Sequence, residues 1–233
     1  MYKFLAMVLV AGMVSMSAAA QQEDGDSEET SSSDERTIGI LLYDGFEALD
    51  VYGPVEMWGN VRQLELVTVA EEAGPIDSAQ GTQTIATYSF EDCPELDILL
   101  VPGGMGTMRE LNNEAMLEFI REQHEQTEVT TSVCSGSALL AKAGVLDGKK
   151  ATSNKVYFSF ATNQSDKVDW IYEARWVDDG NVVTSSGVTA GMDMALHLVR
   201  RMYGDETAQK IADATEYVWN SDPSHDPFAK KTE

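Results

Sequence analysis

Cys134 sits where a β-branched run, residues 129–132 (Val-Thr-Thr-Ser), gives way to the Ala/Leu-rich stretch Ser137-Ala-Leu-Leu-Ala-Lys-Ala, with Ser135 and Gly136 directly behind it. This is the sequence form of a nucleophile elbow. A sharp strand-to-helix turn lifts the thiol above the end of a sheet, and Gly136 lets the backbone pass close by. The free N–H groups and dipole of the helix start favour a thiolate. The competing reading is a packed thiol, because free cysteine commonly behaves as a small buried hydrophobe. The small polar neighbours Ser132, Ser135, Gly136 and Ser137 favour the reactive reading, since they leave room and polar groups around the sulfur.

Groups that could serve such a thiol lie at other strand ends. Gly103 and Gly104 follow the apolar run Asp97–Val101, so their N–H groups, with that of Ser135, make a candidate anion hole. Asp50 follows Ala48 and Leu49 just beyond the first apolar run. It is either an acid held near the thiol or a helix N-cap, and the residues leave both open. Glu56, further along the same stretch, is expected on a solvated face. His124, His197 and His225 each lack a local setting that pairs them with Cys134. No metal-ligand spacing, P-loop or G-x-G-x-x-G is present, so neither a metal nor a cofactor is expected.

The elements that must hold these groups alternate. Thr37–Tyr43 and Gln63–Ala70 read as strands, with a helix over Ala48–Trp58 between them in spite of Pro54. Thr82–Phe90 reads as a half-exposed strand and Asp97–Val101 as a buried one, with a helix over Met108–Gln126. Asp169–Trp176 and Asn181–Ser186 read as two strands joined by the turn Asp178-Asp179-Gly180. Helices over Gly191–Tyr203 and Glu206–Trp219 complete the chain. Such alternation predicts an α/β, flavodoxin-like three-layer sandwich with a mostly parallel sheet. Ligands bind beyond the carboxyl ends of such strands, which places the site where Tyr43–Asp50, Pro102–Thr107 and Cys134–Gly136 converge.

Residues 1–20 carry Lys3, an apolar run from Phe4 to Met16 and Ser17-Ala-Ala-Ala, a pattern expected of a signal peptide cleaved after Ala20. The run is shorter than the roughly twenty residues a membrane span needs. Residues 21–36 are acidic and without an apolar side chain, as in a disordered linker, so residues 37–233 are expected to form the domain. A periplasmic or secreted location follows from the signal. The net charge of −23 argues against nucleic acid or anionic lipid as a partner and leaves a small molecule. Only Cys93 and Cys134 could form a disulfide, and a bridge would use up the elbow thiol, so both are expected to be free.

From residue 37 to about 228 the chain resembles the ThiJ/PfpI superfamily of the class I glutamine amidotransferase-like fold, and within it the isocyanide hydratase branch. The stretches that carry the resemblance are Leu49-Asp-Val-Tyr-Gly-Pro54, Val101-Pro-Gly-Gly104, Ser132-Val-Cys-Ser-Gly-Ser137, Ala143-Gly-Val-Leu-Asp-Gly-Lys-Lys-Ala-Thr152 and Ser185-Ser-Gly-Val-Thr-Ala-Gly-Met-Asp193. The resemblance implies Cys134 as nucleophile, Asp50 as its neighbouring acid and Ser135 in place of a hydroxyl residue, usually threonine. It also implies backbone groups of Gly103 or Gly104 and Val188 near the sulfur. Where many members have histidine after the Ala-Thr pair, this chain has Ser153-Asn154. A Cys–His mechanism thereby loses its base and a Cys–Asp mechanism remains.

The implied activity is that of a cofactor-independent hydro-lyase, converting an isocyanide to an N-formamide through a thioimidate in a homodimeric protein. Like charges repel, so Asp50 is expected to be protonated or to share a proton with the sulfur. Two other readings stay open: a glyoxalase, deglycase or amidase acting on small carbonyl compounds, and a non-catalytic redox-sensing member.

Overall fold

The computed structural model describes residues 35–230. The signal-peptide reading, and the linker reading apart from its last two residues, lie outside them. Seven strands build the main sheet, and four of them form its centre: β1 (Arg36–Leu41), β6 (Ile98–Val101), β7 (Val129–Ser132) and β11 (Val182–Ser185). The last three are buried at every residue. Continuous runs of Ile, Leu, Val and Thr suit strands that are covered on both faces, as parallel strands must be. β2 (Leu64–Ala70) and β5 (Tyr88–Ser89) extend the sheet beyond β1, and β10 (Trp176–Asp178) closes the other edge. Every pairing in this sheet is parallel except β10 with β11.

Helices form two groups. α1 (Ala48–Trp58) packs on α6 (Ala190–Tyr203), and α6 on α7 (Asp205–Ala214). α4 (Gly136–Ala143) gathers α2 (Thr107–Glu110), α3 (Glu114–Gln126) and α5 (Phe158–Thr162) around itself. The result is the expected mostly parallel sheet with flanking helices. Trp58, fully buried, donates from Nε1 to the Ala195 carbonyl at 3.2 Å, which ties α1 to α6 and fixes the stretch carrying Asp50.

Several elements differ from expectation, each for a tertiary reason. Thr82–Phe90 is two strands: β4 (Gln83–Ala86) pairs antiparallel with β3 (Gly74–Asp77), a strand not foreseen, while β5 joins the main sheet beside β2. Asp169–Trp176 is also divided, because β9 (Asp169–Trp170) pairs with β8 (Lys150–Ala151) away from the main sheet whereas β10 forms the foreseen hairpin with β11. The expected helix over Met108–Gln126 breaks at Asn112 and Asn113, where the Asn113 side chain accepts from the Met116 N–H and caps α3.

α7 stops at Ala214 rather than at Trp219. Glu216 takes a left-handed conformation, and the chain then delivers Tyr217 Oη, Trp219 Nε1 and the Asn220 N–H to buried Asp193. β1 begins at Arg36, one residue earlier than expected, in register with Leu64.

Candidate active site

β7 ends at Ser132 and α4 begins at Gly136, so the chain reverses direction in three residues. Cys134 pivots this turn at φ 58, in the left-handed region that non-glycine residues avoid. Such strain costs on the order of 1–3 kcal/mol and persists only when the surroundings impose it. Three hydrogen bonds do so here. The Cys134 N–H donates to the Ser186 carbonyl at 2.8 Å, and the Cys134 carbonyl accepts from Ser137 Oγ and Ser153 Oγ, each at 3.1 Å. Gly136 allows the turn to close, since a Cβ there would lie 2.2 Å from the Val101 carbonyl oxygen.

Cys134 is 7% exposed, and its sulfur accepts a hydrogen bond from Asn154 Nδ2 at 3.1 Å. Asn154 cannot turn its other end toward it. Its Oδ1 is held by the N–H groups of Val156 at 2.8 Å and Tyr157 at 3.1 Å, which leaves only the amide N–H for the thiol. Gly187 makes room for that amide, as a Cβ there would come within 2.9 Å of Asn154 Nδ2. Backbone N–H groups of Ser135 and Val188 also favour the ionised sulfur. Burial, and secondarily the Asp50 charge, prevail over these donors and push the thiol up to about 12. One helix end and three N–H donors thus offset only part of the desolvation that opposes the thiolate.

Asp50 is fully buried and lies in the first turn of α1, where Glu47 holds the cap position, so the N-cap reading does not apply. Its Oδ2 accepts from the Gly103 N–H at 2.8 Å, and its Oδ1 has no hydrogen-bond partner. Burial pushes the carboxyl up to about 8, with the Glu47 charge adding to the effect and the Gly103 N–H opposing it. Burial thus favours the protonated form of Asp50 at pH 7. The carboxyl is coupled to the sulfur through space, without a hydrogen bond between them.

Gly103 and Gly104 reach the site differently from the free anion hole read from the sequence. Their N–H groups are already engaged, Gly103 with Asp50 and Gly104 with Ser135 Oγ at 3.1 Å. What they provide is close approach. A Cβ on Gly103 would lie 2.6 Å from Ser135 N and Oγ, and one on Gly104, at φ 138, would lie 2.3 Å from the Gly45 carbonyl oxygen. The donors at the sulfur are instead Ser135, Val188 and Asn154. From Ser135 Oγ a row of buried hydroxyls leads inward, through Thr107 Oγ1 at 3.1 Å to Tyr43 Oη at 3.0 Å, which ends on the Pro102 carbonyl at 2.6 Å.

The three strand ends therefore do meet, at a pocket of about 230 Å³ lined by Met105, Met108, Tyr157, Phe160 and Val188 around Cys134. Sequence reasoning treated Asn154 only as a departure and did not single out Thr107 or Tyr43. A signal for the latter two existed, since both end segments that carry other site residues. The histidines lie elsewhere: His124 Nδ1 meets Thr130 Oγ1, His197 Nε2 meets Asp178, and His225 is exposed. Both cysteines are free, with Cys93 half-buried. Among the described residues no group of His, Cys, Asp and Glu could hold a metal ion, and no helix is long and apolar enough to cross a membrane.

The Asp50 shift has a consequence for stability. Unfolding returns the carboxyl to about 4, so between that pH and about 8 the folded state binds the extra proton and loses stability as pH rises. The loss approaches roughly 5 kcal/mol. Asp50→Asn removes it. The melting temperature of that variant should match the native protein near pH 4 and exceed it increasingly up to pH 8, whereas a constant difference across the range would contradict the shift.

The DJ-1/PfpI family pattern matches residues 36–201. An isonitrile hydratase of Pseudomonas putida is 38% identical over 186 residues, covering 78% of each chain. The transcriptional regulator GbdR of Pseudomonas aeruginosa is 30% identical, but this chain spans only about half its length (51%). Among solved structures, a ThiJ/PfpI family protein from Pseudomonas syringae superposes with a TM-score of 0.73 at 31% identity, covering 92% of this chain and 86% of that one. Drosophila melanogaster DJ-1beta, at 19% identity and a TM-score of 0.70, shares the fold. The elbow cysteine, its buried acid and these matches together place the chain in the DJ-1/PfpI family.

Proposed function

We propose that the protein hydrates small isocyanides to N-substituted formamides, a reading supported by its similarity to a Pseudomonas putida protein named isonitrile hydratase. The observation that carries the reading is the placing near Cys134 of a fully buried Asp50, whose carboxyl burial holds above its ordinary range, and of an amide rather than an imidazole. An isocyanide carbon is electrophilic toward sulfur and, once attacked, becomes basic. The site therefore has to deliver a proton to the carbon that the sulfur has just joined. A carboxylic acid that keeps its proton at pH 7 meets this need.

Cys134 Sγ bonds to the terminal carbon, Asp50 gives its proton to that carbon, and the S–H proton replaces the one given. The product is an N-substituted thioformimidate. Water adds across its C=N bond, the C–S bond breaks, the sulfur regains a proton, and a formamide leaves. Isocyanide and water are consumed, with no net electron transfer and no cofactor. The apolar lining by Met105, Met108, Tyr157, Phe160 and Val188 suits a small hydrocarbon substituent on nitrogen.

The reading is tested by following formamide formation from a small alkyl isocyanide. Turnover should be present in the native protein and lost, to below about one part in a thousand, in Cys134→Ala. Methylglyoxal turnover without isocyanide turnover would replace this reading with the carbonyl-compound one. We further propose export to the periplasm or beyond and assembly as a homodimer. A protein that stays in the cytoplasmic fraction, or sediments as a monomer at micromolar concentration, would overturn these respectively.

A further inference from the structure

We propose that Glu47 makes the pocket selective for charge, so that uncharged or cationic ligands reach Cys134 and anionic ones are refused. The inference rests on Cys134 being the ligand-facing group, as in the proposed function, but not on isocyanide chemistry.

Five of the pocket's lining residues are apolar (Met105, Met108, Tyr157, Phe160 and Val188), and Gly104, Ser135 and Asn154 add uncharged polar surface. Glu47 is the one carboxylate on this lining, and no lysine or arginine lies on it. The neighbouring cations are engaged elsewhere. Lys155, next to Asn154, donates to Thr152 Oγ1 and to the carbonyls of Ser153 and Ala174. Arg109, near the Met108 rim, is bound to Glu110 and the Asp44 carbonyl. The Glu47 carboxylate is half-buried and held in place, with Oε1 accepting from Gln80 Nε2 at 2.8 Å, while Gln80 Oε1 in turn accepts from the Ala48 N–H.

Its field reaches the reaction centre, since the Glu47 charge contributes to holding the Asp50 carboxyl above its ordinary range. A second negative charge entering this pocket would meet that field with no cation on the lining to pair with. A carboxylate on a ligand would also have to shed its water. Beside the dominant effect of burial, the Glu47 carboxylate favours the protonated form of Asp50 that a neutral ligand would draw on. One residue thereby joins selection of the ligand to supply of the proton.

The test uses a matched pair of thiol reagents, neutral iodoacetamide and anionic iodoacetate, in physiological salt to screen the general surface charge. Peptide mapping reports Cys134 and Cys93 separately, and Cys93 in the same chain reports any general effect of net charge. At Cys134 the amide reagent should be favoured over the acid by on the order of tenfold more than at free glutathione. Glu47→Gln should bring this preference toward that of glutathione, and Glu47→Lys should push it below, with the Cys93 preference unchanged in both. Equal preferences in native protein and Glu47→Gln, or no reaction of Cys134 with either reagent, would overturn the proposal. Because alkylation needs no hydration, a protein inactive on isocyanides but showing the Glu47-dependent preference would refute the proposed function and leave the charge selection standing.

Discussion

Asp50→Asn is expected to move two properties of Cys134 in opposite directions. Formamide production should fall by roughly 10²–10⁴-fold, the usual contribution of a positioned acid, because an amide has no proton to give to the isocyanide carbon. Alkylation of Cys134 by iodoacetamide above pH 8 should become faster, by up to about tenfold for one unit of thiol pKa. The reason is that the ionised Asp50 carboxylate is one of the groups holding the thiol up, second only to burial. A variant that merely misfolded would lose the first property without gaining the second. Steady-state turnover and a pH series of alkylation rates check both, and a parallel decline in the two would count against Asp50 as the proton donor.

Gly136→Ala should be the most damaging small change at the elbow. The added Cβ would meet the Val101 carbonyl oxygen at 2.2 Å and the Pro102 carbonyl carbon and oxygen at 2.9 Å, all of them backbone atoms that cannot swing aside. Relief requires α4 to retreat from the end of β6, carrying Cys134 with it. Overpacking of this kind costs about 1–3 kcal/mol or more, and a displacement approaching 1 Å at a reacting atom costs on the order of a hundredfold in rate. Gly144→Ala is the control, since Gly144 caps α4 at φ 85 with nothing within 4 Å of the added carbon. It should lose roughly 1–2 kcal/mol to backbone strain alone and keep its turnover. Denaturant unfolding and turnover of the two variants separate crowding from strain, and a native-like rate in Gly136→Ala would remove the close approach as a requirement.

Much of the site was legible because its makers are local. The turn at Cys134 follows from Val129–Ser132 ending in small residues before an Ala/Leu helix, and Gly136 marked where the backbone passes close by, whereas the close approach at Gly103 and Gly104 was read as an anion hole. The parallel core was equally legible, since β6, β7 and β11 are short apolar or β-branched runs whose composition suits burial on both faces. Where the reading failed at the edges, the competing partner was distant in the chain: β4 chose β3, β9 chose β8, and Asp193 drew the segment after Ala214 away from a helix.

The amino-acid order by itself thus determined the elbow and its cysteine, because turn and strand preferences act over a few neighbouring residues, and left Asp50 open between site acid and helix cap. Only the tertiary structure decided that Asn154, twenty positions on, grips the sulfur, that the Gly103 and Gly104 N–H groups serve Asp50 and Ser135, and that burial raises both the acid and the thiol. Desolvation and hydrogen bonds between remote segments set those properties, and neither exists until the chain has closed around them.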